Sequence, residues 1–203
     1  MVNQFKAHPW HGIDPGKNIP NEITVFVEIV PADTVKYEID LISGYLSIDR
    51  PQKFSNVFPA LYGFIPRTYC GKSIAEYASL KSGRKIEKGD DNALDVCVLC
   101  DRVITHGDIL LNAIPIGGLR MIDKGESDDK IIAVLKGDEV YAGWPDLKLV
   151  PESIITRLKH YFLTYKSMPG ERNLVEIIEA FGKDEAHEII RRSLLDYQKE
   201  VAT

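Results

Sequence analysis

The stretch Lys88-Gly89-Asp90-Asp91-Asn92-Ala93-Leu94-Asp95 places three carboxylates and an amide in six positions and runs straight into the apolar segment Val96-Cys97-Val98-Leu99-Cys100. Carboxylates this close repel one another, and the mouth of a strand that avoids water screens that repulsion poorly. A hard divalent cation would relieve it. Mg²⁺ takes oxygen ligands at about 2.0–2.1 Å, keeps several waters, and is held by a few carboxylates together with substrate phosphates. The same residues also fit a solvated acidic turn, and on this stretch alone both readings stand.

A second acidic cluster, Asp123-Lys124-Gly125-Glu126-Ser127-Asp128-Asp129-Lys130, follows the apolar run Ile114 to Ile122 and precedes another, Ile131 to Leu135. If those apolar runs are neighbouring strands, Asp90, Asp95, Asp123 and Asp128 converge on one space. Two cations about 3.5–4 Å apart could then stabilise the attacking and leaving oxygens of an in-line displacement. Other ligand-like residues carry less. Cys97 and Cys100 have zinc-like spacing, but residues three apart in a strand point to opposite faces, so they read as packed thiols. His8 and His11 have no third ligand nearby, and their segment reads as one that packs Trp10 on the body.

The elements that must position these residues follow from pattern. The chain has 203 residues, 44% of them hydrophobic, enough for one domain (1–203) with its own core. The net charge of −5 argues against a nucleic-acid binder, whose footprint would be basic. Three cysteines make no disulfide framework. No membrane span or secretory signal reads from the sequence, so the cytoplasm is the expected location.

Ile23 to Val30 is rich in β-branched residues and predicts a strand, with Glu28 as an acid inside an apolar run. Lys36 to Asp40 and Tyr45 to Arg50 alternate around Ser43-Gly44 and predict a hairpin. Along its first arm Lys36, Glu38 and Asp40 share a face. Phe58 to Pro66, bracketed by prolines, reads as a strand that bends or lies on an edge, and Val96 to Cys100, Ile109 to Gly118 and Ile131 to Leu135 add short strands, which suggests a small antiparallel barrel or sandwich. The polar segment 68–88, with room at Ile74 to Leu80 for a turn or two of helix, looks like an insertion. From Pro151 the period becomes helical, with Ile154, Leu158, Tyr161, Phe162 and Tyr165 recurring. Leu174 to Phe181 predicts a strand and Asp184 to Glu200 a final amphipathic helix.

Taken in order, Glu28-Ile29, Lys36-Tyr37-Glu38-Ile39-Asp40, Asp49-Arg50, Tyr62-Gly63-Phe64-Ile65, Asp90 with Asp95, Asp123 with Asp128-Asp129-Lys130, and Tyr165-Lys166 resemble the motifs of family I soluble inorganic pyrophosphatases. The resemblance runs from about Glu22 to Lys166. It implies an α+β, mainly β fold: a five-stranded, OB-like barrel with two helices in the C-terminal half. The implied activity is Mg²⁺-dependent hydrolysis of pyrophosphate to two phosphates by water. Asp90, Asp95 and Asp128 would hold the metal, with Asp123 and Glu38 joining. Lys36, Arg50, Lys130, Lys166, Tyr62 and Tyr165 would grip phosphate oxygens, and Glu28 would stand in an outer shell. A homo-oligomer is implied, hexameric if bacterial and otherwise dimeric.

Three positions depart from the family pattern. Asn92 stands where a general-base aspartate is expected, Phe58 where a tyrosine is, and Lys124 where a glutamate is. A positioned base is worth ~10²–10⁴-fold, and a neutral amide accepts no proton near pH 7. The expectation is a working enzyme whose turnover, pH profile or metal optimum is altered, with Asp91 adjoining the gap. The rival reading is a weakened or silent protein that binds metal and a phosphorylated ligand.

Overall fold

The computed structural model describes residues 6–168, 170–171 and 173–201. Nine strands and three α-helices alternate along these residues: β1 (Ile23–Ile29), β2 (Val35–Ile39), β3 (Leu46–Pro51), β4 (Leu61–Phe64), α1 (Lys72–Ser82), β5 (Asp95–Leu99), β6 (Ile109–Asp123), β7 (Glu126–Ser127), β8 (Lys130–Leu135), α2 (Glu152–Thr164), β9 (Val175–Gly182) and α3 (Lys183–Glu200). β2 and β3 form a separate hairpin, and the other strands make one mixed sheet.

In that sheet β1, β4, β5, β8 and β6 are successive neighbours, and β6 pairs back with β1. All these pairings are antiparallel except that of β5 with β8, which is parallel and in register from Val96–Ile131 to Leu99–Val134. The wholly antiparallel arrangement expected from the short strands is therefore corrected at one ladder. Parallel strands need a crossover, and here β6 and β7 supply it.

β6 is the element that sequence pattern underestimates most. It continues past Gly118 to Asp123, because the register shift between Pro115 and Gly117 interrupts its ladder with β8 without ending the strand. A side chain at Gly117 would overlap the Phe181 carbonyl, and one at Gly118 the Phe181 ring. The strand can thus serve β1 and β8 with its first part and β9 with its second.

Side-chain alternation divides the core. Val25, Val27, Leu61, Val96, Val98, Ile131 and Ala133 face one way and pack with Ile74, Ile189 and Ile190 of α1 and α3. Ile29, Tyr62, Cys97, Leu119, Met121 and Ile132 face the other way and pack with Ile155, Leu158, Tyr161 and Phe162 of α2. Cys97 and Cys100 fall on different sides and are free thiols. No helix among the described residues is long and apolar enough to cross a membrane.

The segment 68–88 holds eleven helical residues rather than one or two turns, and α1 buries Ile74, Ala75, Tyr77 and Ala78. Its first free N–H groups are capped from a distance: Asp196 of α3 accepts from Ser73 N (3.1 Å) and Ile74 N (3.2 Å). A carboxylate at a helix N-terminus is favourable, yet nothing local in α1 announces it. Trp10 is buried as expected and donates its Nε1–H to the Thr68 carbonyl at 2.7 Å.

Gly63 of β4 lies opposite Val27 beside a β-bulge in β1, so close that a Cβ would overlap the Phe26 carbonyl. Gly63→Ala is expected to lower stability by about 1–3 kcal/mol through forced backbone displacement. Gly143→Ala, where an added Cβ meets open space, should cost far less. Thermal unfolding of the two variants compares them directly.

Candidate active site

The bulge that Gly63 accommodates also aims Glu28. Val27 and Ile29 of β1 oppose the adjacent residues Gly63 and Tyr62 of β4, so Glu28 is the extra residue and escapes the regular ladder. Its carboxylate is buried, and Oε1 accepts the Ile39 N–H at 2.9 Å. It lines a cavity of about 490 Å³ together with the hairpin β2–β3, the turn before β5, the turn before β8 and the end of α2.

Every residue that the family resemblance assigns to the site reaches this cavity, with Asn92 beside them: Glu28, Lys36, Glu38, Arg50, Tyr62, Asp90, Asp95, Asp123, Asp128, Lys130, Tyr165 and Lys166. The two acidic clusters meet because Asp95 and Lys130 begin the parallel strands β5 and β8. Ser127 N donates to the Lys88 carbonyl at 3.1 Å and ties the turns together. Carboxylate oxygens of Asp90, Asp95 and Asp128 all lie within 4.8 Å of one another.

The Lys130 ammonium stands among these acids and donates to both Asp95 Oδ2 and Asp128 Oδ1. Burial alone would lower its pKa, but Asp128 and Asp95 hold it well above the usual lysine value. Tyr62 donates its hydroxyl to Asp95 at 2.6 Å, and burial with the Asp95 charge raises that hydroxyl well above the ordinary tyrosine range. It is therefore a neutral donor at any working pH. Asp90 is pushed far above a normal carboxyl by burial and then by Asp128. One positive charge thus only partly neutralises three acids.

Facing them are more cations. Lys36 pairs with Glu38 and donates to Asp49 at 3.1 Å, Arg50 pairs with Asp49, and Lys166 pairs with Asp123. Arg50 and Lys166 both approach the Tyr165 ring, 5.8 and 5.0 Å from its centroid. Arg50 Nη2 and Asp123 Oδ1 are buried with no partner among the described residues. Such atoms are few in native proteins, and both belong to residues that line the cavity. An anion would satisfy the first and a cation the second.

Sequence reasoning missed Asp49 as a site residue. The hairpin register sets Lys36 opposite Arg50, so Asp49 beside them keeps two like charges close together. The alternation of the hairpin held that signal. The expected sharing of one face by Lys36, Glu38 and Asp40 holds only for the first two at the cavity; Asp40 instead closes the hairpin turn by accepting from Ser43. The three departures are also placed. Phe58 is fully buried against Tyr62 and Tyr161, with ring centroids 4.6 and 4.5 Å apart. Lys124 is exposed at the cavity rim. Asn92 is exposed on the cavity wall, while Asp91 turns aside and accepts the Tyr69 hydroxyl at 2.9 Å. Asp91 therefore does not fill the gap beside Asn92, because a backbone φ of 60° directs its side chain away.

The three acids offer hard oxygen donors within 4.8 Å of one another, and an orphaned acid oxygen lies in the same cavity. The donor set fits Mg²⁺ or a similar ion. The opposing lysines and arginine fit a multiply charged phosphate.

Over residues 25–198 the sequence matches the family described as inorganic pyrophosphatase. An inorganic pyrophosphatase of Chlamydia muridarum (strain MoPn / Nigg) is 47% identical over 196 residues, covering 94% of each chain. Soluble inorganic pyrophosphatase 2 of Chlamydomonas reinhardtii is 35% identical over 193 residues, covering 95% of this chain and 90% of that one. The fold is similar to the crystal structure of inorganic pyrophosphatase from Thermus thermophilus, with a TM-score of 0.79, 24% identity, and coverage of 95% of this chain and 99% of that one.

Glu28 gives the site a pH signature. Burial, then the Asp95 charge, raises its carboxyl from 4.5 to about 8. The folded state then holds a proton that the unfolded state releases, so this group's contribution to stability falls as pH rises from about 4.5 to about 8. Glu28→Gln should flatten that slope in metal-free protein, raising the melting temperature relative to wild type more at alkaline than at acid pH. The difference should amount to a few kcal/mol at most. Melting curves in chelator across this range test it.

Proposed function

This chain belongs to the family I soluble inorganic pyrophosphatases and hydrolyses pyrophosphate to two phosphates; from that premise we propose that it uses Mg²⁺ held by Asp90, Asp95 and Asp128. The observation that carries the proposal is the convergence of those three carboxylates within 4.8 Å, across one cavity from Lys36, Arg50 and Lys166. Asp123, with its unpartnered oxygen, and Glu38 at the opposite wall complete the acidic ligand set. When bound, the cation offsets phosphate charge and makes a water easier to deprotonate.

The chain's own residues do the rest. Lys36, Arg50, Lys130 and Lys166 bind phosphate oxygens. Each is already aimed by a carboxylate, so little side-chain freedom remains to be lost when substrate arrives. Arg50 supplies a two-pronged contact that a lysine cannot. Tyr62 and Tyr165 add hydroxyl donors from the wall formed with α2. Glu28, deep behind Asp95, stays protonated near neutral pH and avoids adding a further charge to the cluster.

Asn92 orients water through its amide but takes no proton. Turnover therefore proceeds without a carboxylate at that position, and Asp91 is turned to Tyr69. The alternative of a silent metal and phosphate binder gains nothing from relatives that are named as pyrophosphatases.

The same reading takes β1, β4, β5, β8 and β6 as a five-stranded OB-like barrel within a single domain, with segment 68–88 as an insertion whose helix has become part of the core. A cytoplasmic homo-oligomer, with pyrophosphate rather than nucleic acid or a membrane as its partner, belongs to it as well.

Phosphate release from pyrophosphate with Mg²⁺, Mn²⁺ or Zn²⁺ is the direct test. Release should be fastest with Mg²⁺ and should fall by ~10²-fold or more in Asp95→Asn. Equal release by that variant would remove Asp95 from the site. Asn92→Asp is expected to raise turnover by roughly tenfold or more and to shift the pH profile; an unchanged profile and rate would show that an acid placed at position 92 takes no part in catalysis.

A further inference from the structure

Asp129 falls at an unassigned position of the second acidic motif, between two residues that face the cavity. Strand alternation sends it the opposite way, to the side covered by α1 and α3. Its side chain is 1% exposed. Oδ1 accepts the Met121 N–H at 3.1 Å, while Asp128 N donates to the Met121 carbonyl at 3.0 Å. The two consecutive aspartates thus grip both backbone groups of one β6 residue.

Behind Asp129 lies Arg120, whose side chain is fully buried, with its Nε 3.7 Å from Asp129 Oδ2. Its other nitrogens donate to Glu179 of β9 (2.5 Å) and Glu185 of α3 (2.6 Å). The guanidinium also lies over the Phe181 and Tyr77 rings, 5.2 and 5.6 Å from their centroids. Arginine does not shed its charge, so this cation is fixed by β9, α3 and α1 together. Neither Arg120 Nε nor Asp129 Oδ2 has another partner among the described residues. Each is the other's nearest compensation.

The cavity supplies the need for such an anchor. Asp90, Asp95 and Asp128 crowd one another around a single lysine, and mutual repulsion acts to spread them. Backbone contacts of residues 127 and 128 hold one end of this segment and the Leu119–Lys130 pairing the other, with Asp129 between them.

We propose that Asp129 and Arg120 are positioning residues for cation binding: the pair clamps the chain at 128–130 so that Asp128 and Lys130 face Asp90 and Asp95 at ligand spacing. This rests on the reading of the three acids as cation ligands. Removing a group that orients a ligand from behind typically costs 10–100-fold in metal affinity.

The test is calorimetric titration of the metal-free full chain with Mn²⁺, without substrate, alongside melting curves. Asp129→Ala should bind Mn²⁺ about 10–100-fold more weakly. Asp129→Asn keeps an acceptor for Met121 but replaces the carboxyl oxygen facing Arg120 with an amide, so it should bind more weakly than wild type by a smaller factor. Excess Mg²⁺ should restore phosphate release in both, because only placement is lost. Wild-type Mn²⁺ affinity in either folded variant, even with a lowered melting temperature, would overturn the proposal and leave Asp129 a stabilising residue only. Should Asp129→Ala not fold, Asp129→Asn decides by the same criterion. Failure of the wild-type protein to bind Mn²⁺, while Asp95→Asn behaves identically, would instead sink the cation site and the proposal together.

Discussion

The parallel pairing of β5 with β8 sets Val96 opposite Ile131, and so brings Asp95 beside Lys130 where both strands begin. Each strand is entered from an acidic turn. With the strands antiparallel, one turn would lie at each end of the sheet and no cluster could form. The pairing in turn requires a crossover, and β6 provides it by running fifteen residues and turning back at Lys124 and Gly125. The length of β6, the two glycines that let it lie close to Phe181 and its many pairings are therefore conditions of the site as much as of the fold.

Charge balance explains the remaining geometry. The acids at the strand mouths and the cations of the hairpin and α2 are held apart by the cavity, and each cation is meanwhile kept in place by a carboxylate. Lys130 sits among the acids, buried and held protonated by them. Breaking such an arrangement is costly because it strands a buried charge. The charged groups consequently have little freedom to move. A doubly phosphorylated anion and its cations find their counter-charges already arranged, which lowers the reorganisation that binding and reaction require.

The three departures from the family pattern all line the cavity but leave its charged groups in place. Phe58 replaces a hydroxyl with ring packing against Tyr62 and Tyr161, which stiffens the wall that holds Tyr62 toward Asp95. Lys124 adds a cation at the rim, where solvent screens it. Asn92 is the departure that lies against the acids, its backbone N–H donating to Asp90. The charge-bearing framework of Asp90, Asp95, Asp128 and Lys130 is intact around it, which is why the site can remain an enzyme's.

Much of this was legible in the sequence. Strand and helix periods follow from local side-chain alternation, so β1, the β2–β3 hairpin, β5, β8, α2, β9 and α3 could be read near their true bounds. The ordered acids and bases named the chemistry, because few residue types can bind both a hard cation and a phosphate. What stayed hidden was whatever depends on a partner remote in the chain: the full extent of β6, the Asp196 cap that stabilises α1, the turning of Asp91 toward Tyr69, and the Arg120–Asp129 pair. The residues by themselves determined which groups would take part. Only the tertiary structure decided that they meet, since strand direction and the far side of a buried charge are set by contacts that no local pattern encodes.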